Sequence, residues 1–203
     1  MLVHAEITKE LRQLGRLSPV GYFVGLHIRF AAPLMQFQTY PQAWSDHYTR
    51  EGYALRDPTI AWGFGSEGAA RWSEFNIPDP FGILVQAANF GLKYGLTVSC
   101  GPISSRTIAS FASDQREFTE DEIATIKVLV RRLHDMTQPP ESLTKAQIEA
   151  LRCIAAGDRH AAAAAKLGIT ESAFKARLMS ARERLMARTT TEAIQRAKEY
   201  RLL

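Results

Sequence analysis

Between residues 40 and 57 the chain crowds Tyr40, Trp44, His47, Tyr48 and Tyr53 ahead of a lone acid, Asp57, which Pro58 follows at once. A Trp ring nitrogen only donates a hydrogen bond, an ionised Asp only accepts one, and a Tyr hydroxyl does both. Grouped in a cavity, such side chains can match the donors and acceptors of a small polar molecule one by one. The matching matters because an unmatched buried group costs about 1–3 kcal/mol. Each residue also has a plainer role. Asp57-Pro58 is a good helix cap pair anywhere, with Asp at the N-cap and Pro in the first turn. Trp62, Trp72 and Tyr53 can be core, and His47, one residue off the Trp44–Tyr48 face, is expected at the surface.

Two other sets could do chemistry. Cys100 or Ser110 could act as a nucleophile with His27 or His134, but no nucleophile-elbow motif is present and the histidines are scattered. Near the other end of the chain, Lys175, Arg177, Arg182 and Arg184 fall within one helical stretch. Such residues can neutralise phosphates or read guanine edges.

The elements that must position these residues follow from local signals. Residues 5–15 have a helical rhythm. Residues 21–30 and 33–40 read as two antiparallel strands across a short turn. Pro41 opens a helix that ends at Gly52, and Asp57-Pro58 opens another. Residues 70–75 suggest a short extended piece, and 79–91 a further capped helix. Two strands follow, joined near "PISS". Residues 119–136 form a strong amphipathic helix, with Thr119 and Glu122 at capping-box spacing and positions 123, 126, 130 and 133 on its buried face. The two prolines of "TQPPES" (137–142) mark a linker. Beyond it no strand signal recurs. Helices start at Ser142 or Thr144, near Arg159 and after Thr170, with Gly157 and Gly168 ending the first two, and a closing helix covers 191–202. A short helix, a glycine turn and a second helix make a helix-turn-helix.

The charge is split along the same line. Residues 1–141 hold 13 Lys+Arg against 15 Asp+Glu, net −2, whereas residues 142–203 hold 12 against 6, net +6. A basic module on a slightly acidic body suits a polyanion partner, or is a solvated helix bundle. No apolar run approaches the ~20 residues of a membrane span, and no secretory signal is legible. Two distant cysteines argue against a disulfide framework or a cysteine metal site. A cytoplasmic protein with no membrane association, no metal and no catalytic residues is expected.

The stretch "LTKAQIEALRCIAAGDRHAAAAAKLGITESAFKARL" resembles the LuxR-type helix-turn-helix. Leu143, Thr144, Leu151, Gly157, Ala164, Leu167, Gly168, Ile169 and Leu178 fall at matching spacings. It departs from the family at Gln147, usually Glu; at Ala162-Ala163, usually Glu-Ile; at Ala173-Phe174, usually Thr-Val; at Arg177, often His; and after Leu185, where the usual Gly is missing. Phe174 is large for its position, but the small Ala163 can make room. Among the sensors joined to such domains, a receiver needs an early acidic cluster, yet residues 17–40 contain no Asp or Glu. The set Tyr40, Trp44, Tyr48, Asp57-Pro58 and Trp72, with "GLKYGLTVS" at 91–99, is instead similar to the autoinducer-binding domain of acyl-homoserine-lactone receptors.

The resemblance implies an α+β protein: an N-terminal α-β-α sandwich with an antiparallel sheet (1–136), a linker (137–142) and an all-α helix-turn-helix bundle (143–203). It implies a quorum-sensing transcription regulator without a cofactor, whose ligand is an N-acyl-homoserine lactone. Trp44 would meet the lactone carbonyl, Asp57 the amide N–H and Tyr40 the amide carbonyl. Tyr48 and Trp72 would be walls, with Thr59 and Ser110 near the acyl carbonyl. The partners implied are double-stranded DNA, a second copy of the chain in a homodimer, and RNA polymerase. Lys175 is expected on phosphate, Arg177 or Arg182 on base edges and Arg184 near the DNA, with residues 119–136 and 191–202 as dimer surfaces. The alternative is a member that answers another small molecule or blocks a related receptor by heterodimerisation.

Overall fold

The computed structural model describes residues 2–28, 32–139 and 142–203, the side chains of 2–4 excepted. It divides into two compact units, Met1–Gln138 and Pro139–Leu203.

The first unit is built on a five-stranded antiparallel sheet in the order β2-β1-β5-β4-β3. The strands are β1 (Gly21–Ile28), β2 (Met35–Gln38), β3 (Gly68–Arg71), β4 (Tyr94–Cys100) and β5 (Arg106–Ser113). The predicted continuation of the first strand through Arg29 and Phe30 lies outside the described residues. Alternation along the strands gives the sheet two unlike faces. Tyr22, Val24, Leu26, Leu96, Val98, Ala109 and Phe111 form an apolar core with α1 (Leu2–Leu17) and α5 (Glu120–Met136). Ile126, Val130 and Leu133 of α5 are buried there and Ile123 partly so, the face the periodicity predicts. Thr119 and Glu122 make the expected reciprocal cap of α5.

The opposite face carries Phe23, Gly95, Thr97, Ser99 and Ser110, mostly small or polar residues. Over it lie α2 (Gln42–Arg50), α3 (Pro58–Gly65) and α4 (Ile83–Asn89). Helix α3 sits close on the sheet. The Ser99 hydroxyl donates to the Gly63 carbonyl at 2.6 Å, and a Cβ on Gly63 would come within 2.7 Å of Ile108. The expected extended piece at 70–75 is a strand only to Arg71, and a single 3-10 turn, Trp72–Glu74, follows. Glu74 causes the break: its carboxylate accepts from the Arg71 amide at 3.0 Å and from the guanidinium at 2.7 Å.

The second unit is all helical: α6 (Lys145–Ala155), α7 (His160–Lys166), α8 (Glu171–Arg184) and α9 (Thr190–Glu199). Thr144, not Ser142, caps α6, and its box is closed by Gln147. The amide does what a glutamate would do there, accepting from the Thr144 N–H at 2.9 Å, and also donates to Ser180 at 2.9 Å, which a carboxylate could not. Phe174 and Ala163 are both fully buried, in one apolar cluster. Met186, where the family usually has Gly, keeps a left-handed φ of 53°. The cost of about 1–2 kcal/mol for a side chain in that region is opposed by Arg196, whose Nη1 donates to the carbonyls of Leu185 and Met186 at 2.9 and 2.8 Å.

Candidate functional site

Between the polar sheet face and α2–α4 lies a cavity of about 660 Å³. Tyr40, Trp44, Tyr48, Asp57, Thr59, Trp72 and Ser110 all line it, although they come from five different stretches of chain. Apolar wall is supplied by Phe23, Ile28, Ile60, Phe64, Ile83 and Leu92 among others. A cavity of this size with a few convergent polar groups suits a small amphipathic ligand.

Asp57 is the polar centre. It caps α3, its Oδ1 accepting from the Thr59 amide at 2.7 Å, while Oδ2 accepts from the Tyr48 hydroxyl at 2.8 Å. Burial pushes its carboxyl above the usual carboxylate range, and the hydrogen bonds from Thr59 and Tyr48 pull the other way. Tyr48 is therefore more than a wall, because its ring covers the cavity and its hydroxyl holds the carboxylate. Burial and the facing Asp57 push the Tyr48 hydroxyl far above its ordinary pKa. Burial also raises that of Tyr40, Asp57 adding to it and a hydrogen bond from the Phe23 backbone opposing it, while the buried Tyr40 hydroxyl proton meets no acceptor. A donor that pays desolvation without a bond is unusual; here it sits in a cavity wall within electrostatic reach of Asp57.

Trp44 lines the cavity at 5% exposure, packed against Tyr48, Tyr53 and Phe90 with ring centroids 5.7, 6.2 and 5.5 Å away. Trp72 lies across β4, pressed on Gly95, where a Cβ would fall 1.8 Å from the ring. Its Nε1–H donates to Thr97 Oγ1 at 3.0 Å, and that oxygen pairs with Ser110 Oγ at 3.1 Å. Either hydroxyl of that pair can be the donor, and Ser110 also lines the cavity.

Sequence reasoning missed Thr97, Gly95 and Gln86. Thr97 faces Ser110 by strand register, which only the pairing of β4 with β5 reveals. His47 was expected at the surface and is half-buried. Helix α4 covers that side, stacking Phe90 on it at 5.2 Å. Arg50 donates to its Nδ1 at 2.9 Å, so Nε2 carries the proton and donates to Gln86 Oε1 at 2.9 Å. The same oxygen accepts from the buried Tyr53 hydroxyl at 2.7 Å. Trp62 stacks on Phe75, rings 5.5 Å apart, outside the cavity lining.

The nucleophile pairing considered from sequence does not assemble. Burial pushes the Cys100 thiol up to about 11. His27 and His134 pack ring against ring at 4.3 Å and bond to Ser105, Thr107, Thr137 and a backbone carbonyl.

In the second unit, Phe174, Leu178, Ala181 and Leu185 are the buried face of α8 and its end. Lys175 is exposed and paired with Glu171 at 2.7 Å. Arg177 and Arg182 are half-buried on the helix flanks. Arg184 donates from Nε to the Ser142 carbonyl at 2.8 Å, which fixes its stem to the segment before α6.

These features define a small-molecule sensor unit followed by a helix-turn-helix unit. The comparisons with known proteins agree. The family model for the autoinducer binding domain matches residues 6–136. The transcriptional activator protein RaiR of Rhizobium etli is 26% identical over 180 residues, covering 80% of this chain and 74% of its own. The crystal structure of Escherichia coli SdiA superposes with a TM-score of 0.52 at 24% identity, covering 98% of this chain and 90% of SdiA. SdiA in complex with octanoyl-rac-glycerol gives 0.50 at 21%, over 98% and 88% of the two chains; both likenesses are of fold. The chain belongs to the autoinducer-binding-domain family and is a ligand-responsive transcriptional regulator of the LuxR type. Among the described residues no helix is long and apolar enough to cross a membrane, and no three His, Cys, Asp or Glu side chains are grouped to hold a metal ion.

Proposed function

We propose that this chain binds an N-acyl-homoserine lactone in the sensor cavity and, as a homodimer, a pseudo-palindromic promoter site. The observation that carries the ligand reading is a buried Tyr40 hydroxyl whose proton has no acceptor, on a residue that lines the same cavity as Asp57 and Trp44. The ligand's amide carbonyl takes the Tyr40 proton, its amide N–H donates to Asp57, and its lactone carbonyl accepts from the Trp44 indole. Ser110 and Thr59 lie near the acyl carbonyl, and the tail fills the apolar remainder. No cofactor takes part.

For DNA, α8 enters the major groove and α7 braces it. One such module covers few bases, so two copies pair across half-sites, through α5 and α9. Val128 on α5 is exposed and apolar, which suits a dimer face. RNA polymerase is the further partner that transcriptional output requires. The antagonist reading predicts instead that the chain alone retards no genomic fragment.

A second reading of the ligand has one observation behind it: the SdiA structure of the same fold is described in complex with octanoyl-rac-glycerol. An acylglycerol also offers an acyl carbonyl to Tyr40 and hydroxyl donors to Asp57. Mass spectrometry of ligand extracted from protein expressed with mixed acyl-lactones decides. Recovery of an acyl-homoserine lactone is expected; recovery of acylglycerol alone would overturn the lactone assignment.

A further inference from the structure

We infer that α8 reads thymine methyl groups through Ala176 and Met179, the apolar centre of its outward strip, and leaves its cations to the phosphates. This rests on the reading of the second unit as a DNA-binding module.

Ser172, Ala176, Met179 and Glu183 are all exposed. They recur at spacings of four, three and four, the period of one helix face. The buried residues Phe174, Leu178, Ala181 and Leu185 recur at the same spacings two positions further on, so the exposed strip lies opposite the packed face. Met179 is its largest side chain, 51% exposed. A solvated methionine at that position gains nothing for the fold.

The cations flank this strip. Lys175 and Arg182 are seven residues apart on one side, and Arg177 and Arg184 are seven apart on the other. A helix about 10–12 Å across fills a major groove about 12 Å wide. Its flanks then meet the two phosphate walls and its outward strip meets the base edges. The tethers fit that division. Glu171 holds the Lys175 ammonium at 2.7 Å on its flank, the Ser142 carbonyl holds Arg184, and the Nε of Arg182 is buried. Each of these contacts draws its cation toward a flank rather than toward the floor of the groove. The net +6 of residues 142–203 supplies the charge complementarity. Between Ser172 and Glu183 at its ends, the middle of the strip is apolar, Ala176 and Met179, and the apolar feature of the major groove is the thymine methyl. Arg177 and Arg182, expected from sequence on base edges, are assigned to phosphate instead.

The test is site selection from a random duplex pool by the full chain, with and without N-octanoyl-homoserine lactone. The selected site is then resynthesised with deoxyuridine at each thymine in turn, which removes the methyl and leaves the hydrogen-bonding edges. A fixed thymine in each half-site is expected. Losing its methyl should weaken binding roughly fourfold, the worth of about one buried carbon. Met179→Ala, a change on the solvent side of the helix, should bind thymine and uracil duplexes alike. Lys175→Ala should weaken both equally and reduce the salt slope by about 1. If uracil is neutral at every position, or if Met179→Ala keeps the full methyl effect, Met179 is not the reader, although DNA binding stands. Absence of any salt-dependent retardation in both ligand arms overturns the DNA reading and this inference together.

Discussion

Replacing Asp57 by Asn separates its part in folding from its part in ligand binding. The amide retains an oxygen for the Thr59 N–H, so the cap of α3 survives, since Asn caps as well as Asp. At the other atom an NH2 replaces the oxygen that accepts from Tyr48. The Tyr48 hydroxyl can rotate and accept instead. The ligand amide N–H cannot, and it loses a charge-assisted acceptor worth about 1.5–3 kcal/mol, a rise in Kd of roughly 13- to 160-fold. The unliganded fold should respond in the opposite sense. Because burial raises the Asp57 pKa in the folded state, the stability it contributes is fully present below the unfolded value and is lost as pH rises through the folded one. Ionising Asp57 in the fold is therefore disfavoured, and Asn removes that cost. The melting temperature without ligand should stay level or rise. With ligand at 100 times the wild-type Kd, the wild type should gain about 2.7 kcal/mol of stability and the variant much less. Tyr48→Phe keeps the ring and frees an acceptor position on Asp57, so it should weaken binding less than Asp57→Asn. Isothermal titration with N-octanoyl-homoserine lactone, beside thermal unfolding with and without ligand, reads all of this. Equal affinity in wild type and Asp57→Asn would refute the assignment. So would a loss of affinity matched by an equal loss of unliganded stability, since Asp57 would then act through folding alone.

Tyr40→Phe should leave the unliganded protein close to wild-type stability, because the hydroxyl it removes donates to no acceptor and loses only a bond from the Phe23 backbone. In calorimetry it should weaken ligand binding by about 0.5–1.5 kcal/mol, the net worth of one hydrogen bond. Gly95→Ala puts a carbon 1.8 Å from the Trp72 ring. Urea titration followed by tryptophan fluorescence should show a loss of about 1–3 kcal/mol, as for overpacked cores, with ligand affinity falling as Trp72 leaves the Thr97–Ser110 pair. The buried His134 imidazole lies below its usual pKa, chiefly through desolvation. Its contribution is therefore present above the unfolded value near 6.5 and is lost as pH falls through the folded one. Urea unfolding between pH 7.5 and 5 should show that loss in the wild type, and His134→Gln should flatten it.

The caps, turns and helix faces were legible from sequence because each is settled within three or four residues of backbone. Asp57 and Pro58 open α3, Thr119 and Glu122 close a box on α5, and Thr170 caps α8 through the Ala173 amide. The seven ligand candidates were legible as a set of types at fixed spacings, and they line one cavity. What the side chains do there was not legible. The Trp72–Thr97–Ser110 relay joins residues 25 and 13 positions apart, and it exists only because strand register sets Thr97 against Ser110. Tyr48 was read as a wall; its bond to Asp57 depends on how α2 is laid against the start of α3. His47 was assigned to solvent from α2 alone, and the helix that covers it arrives some forty residues later in the chain. The lysine and arginines of α8 were visible as charge, but their places on the flanks follow from the residues the bundle buries and from the tethers on Glu171 and Ser142. Local sequence determines which backbone groups are satisfied and which stripe of a helix is apolar. The partner of a side chain, or the missing acceptor of one as at Tyr40, is decided when distant elements pack, because a hydrogen bond reaches only about 3 Å and the placement of whole helices and strands determines what comes within that reach.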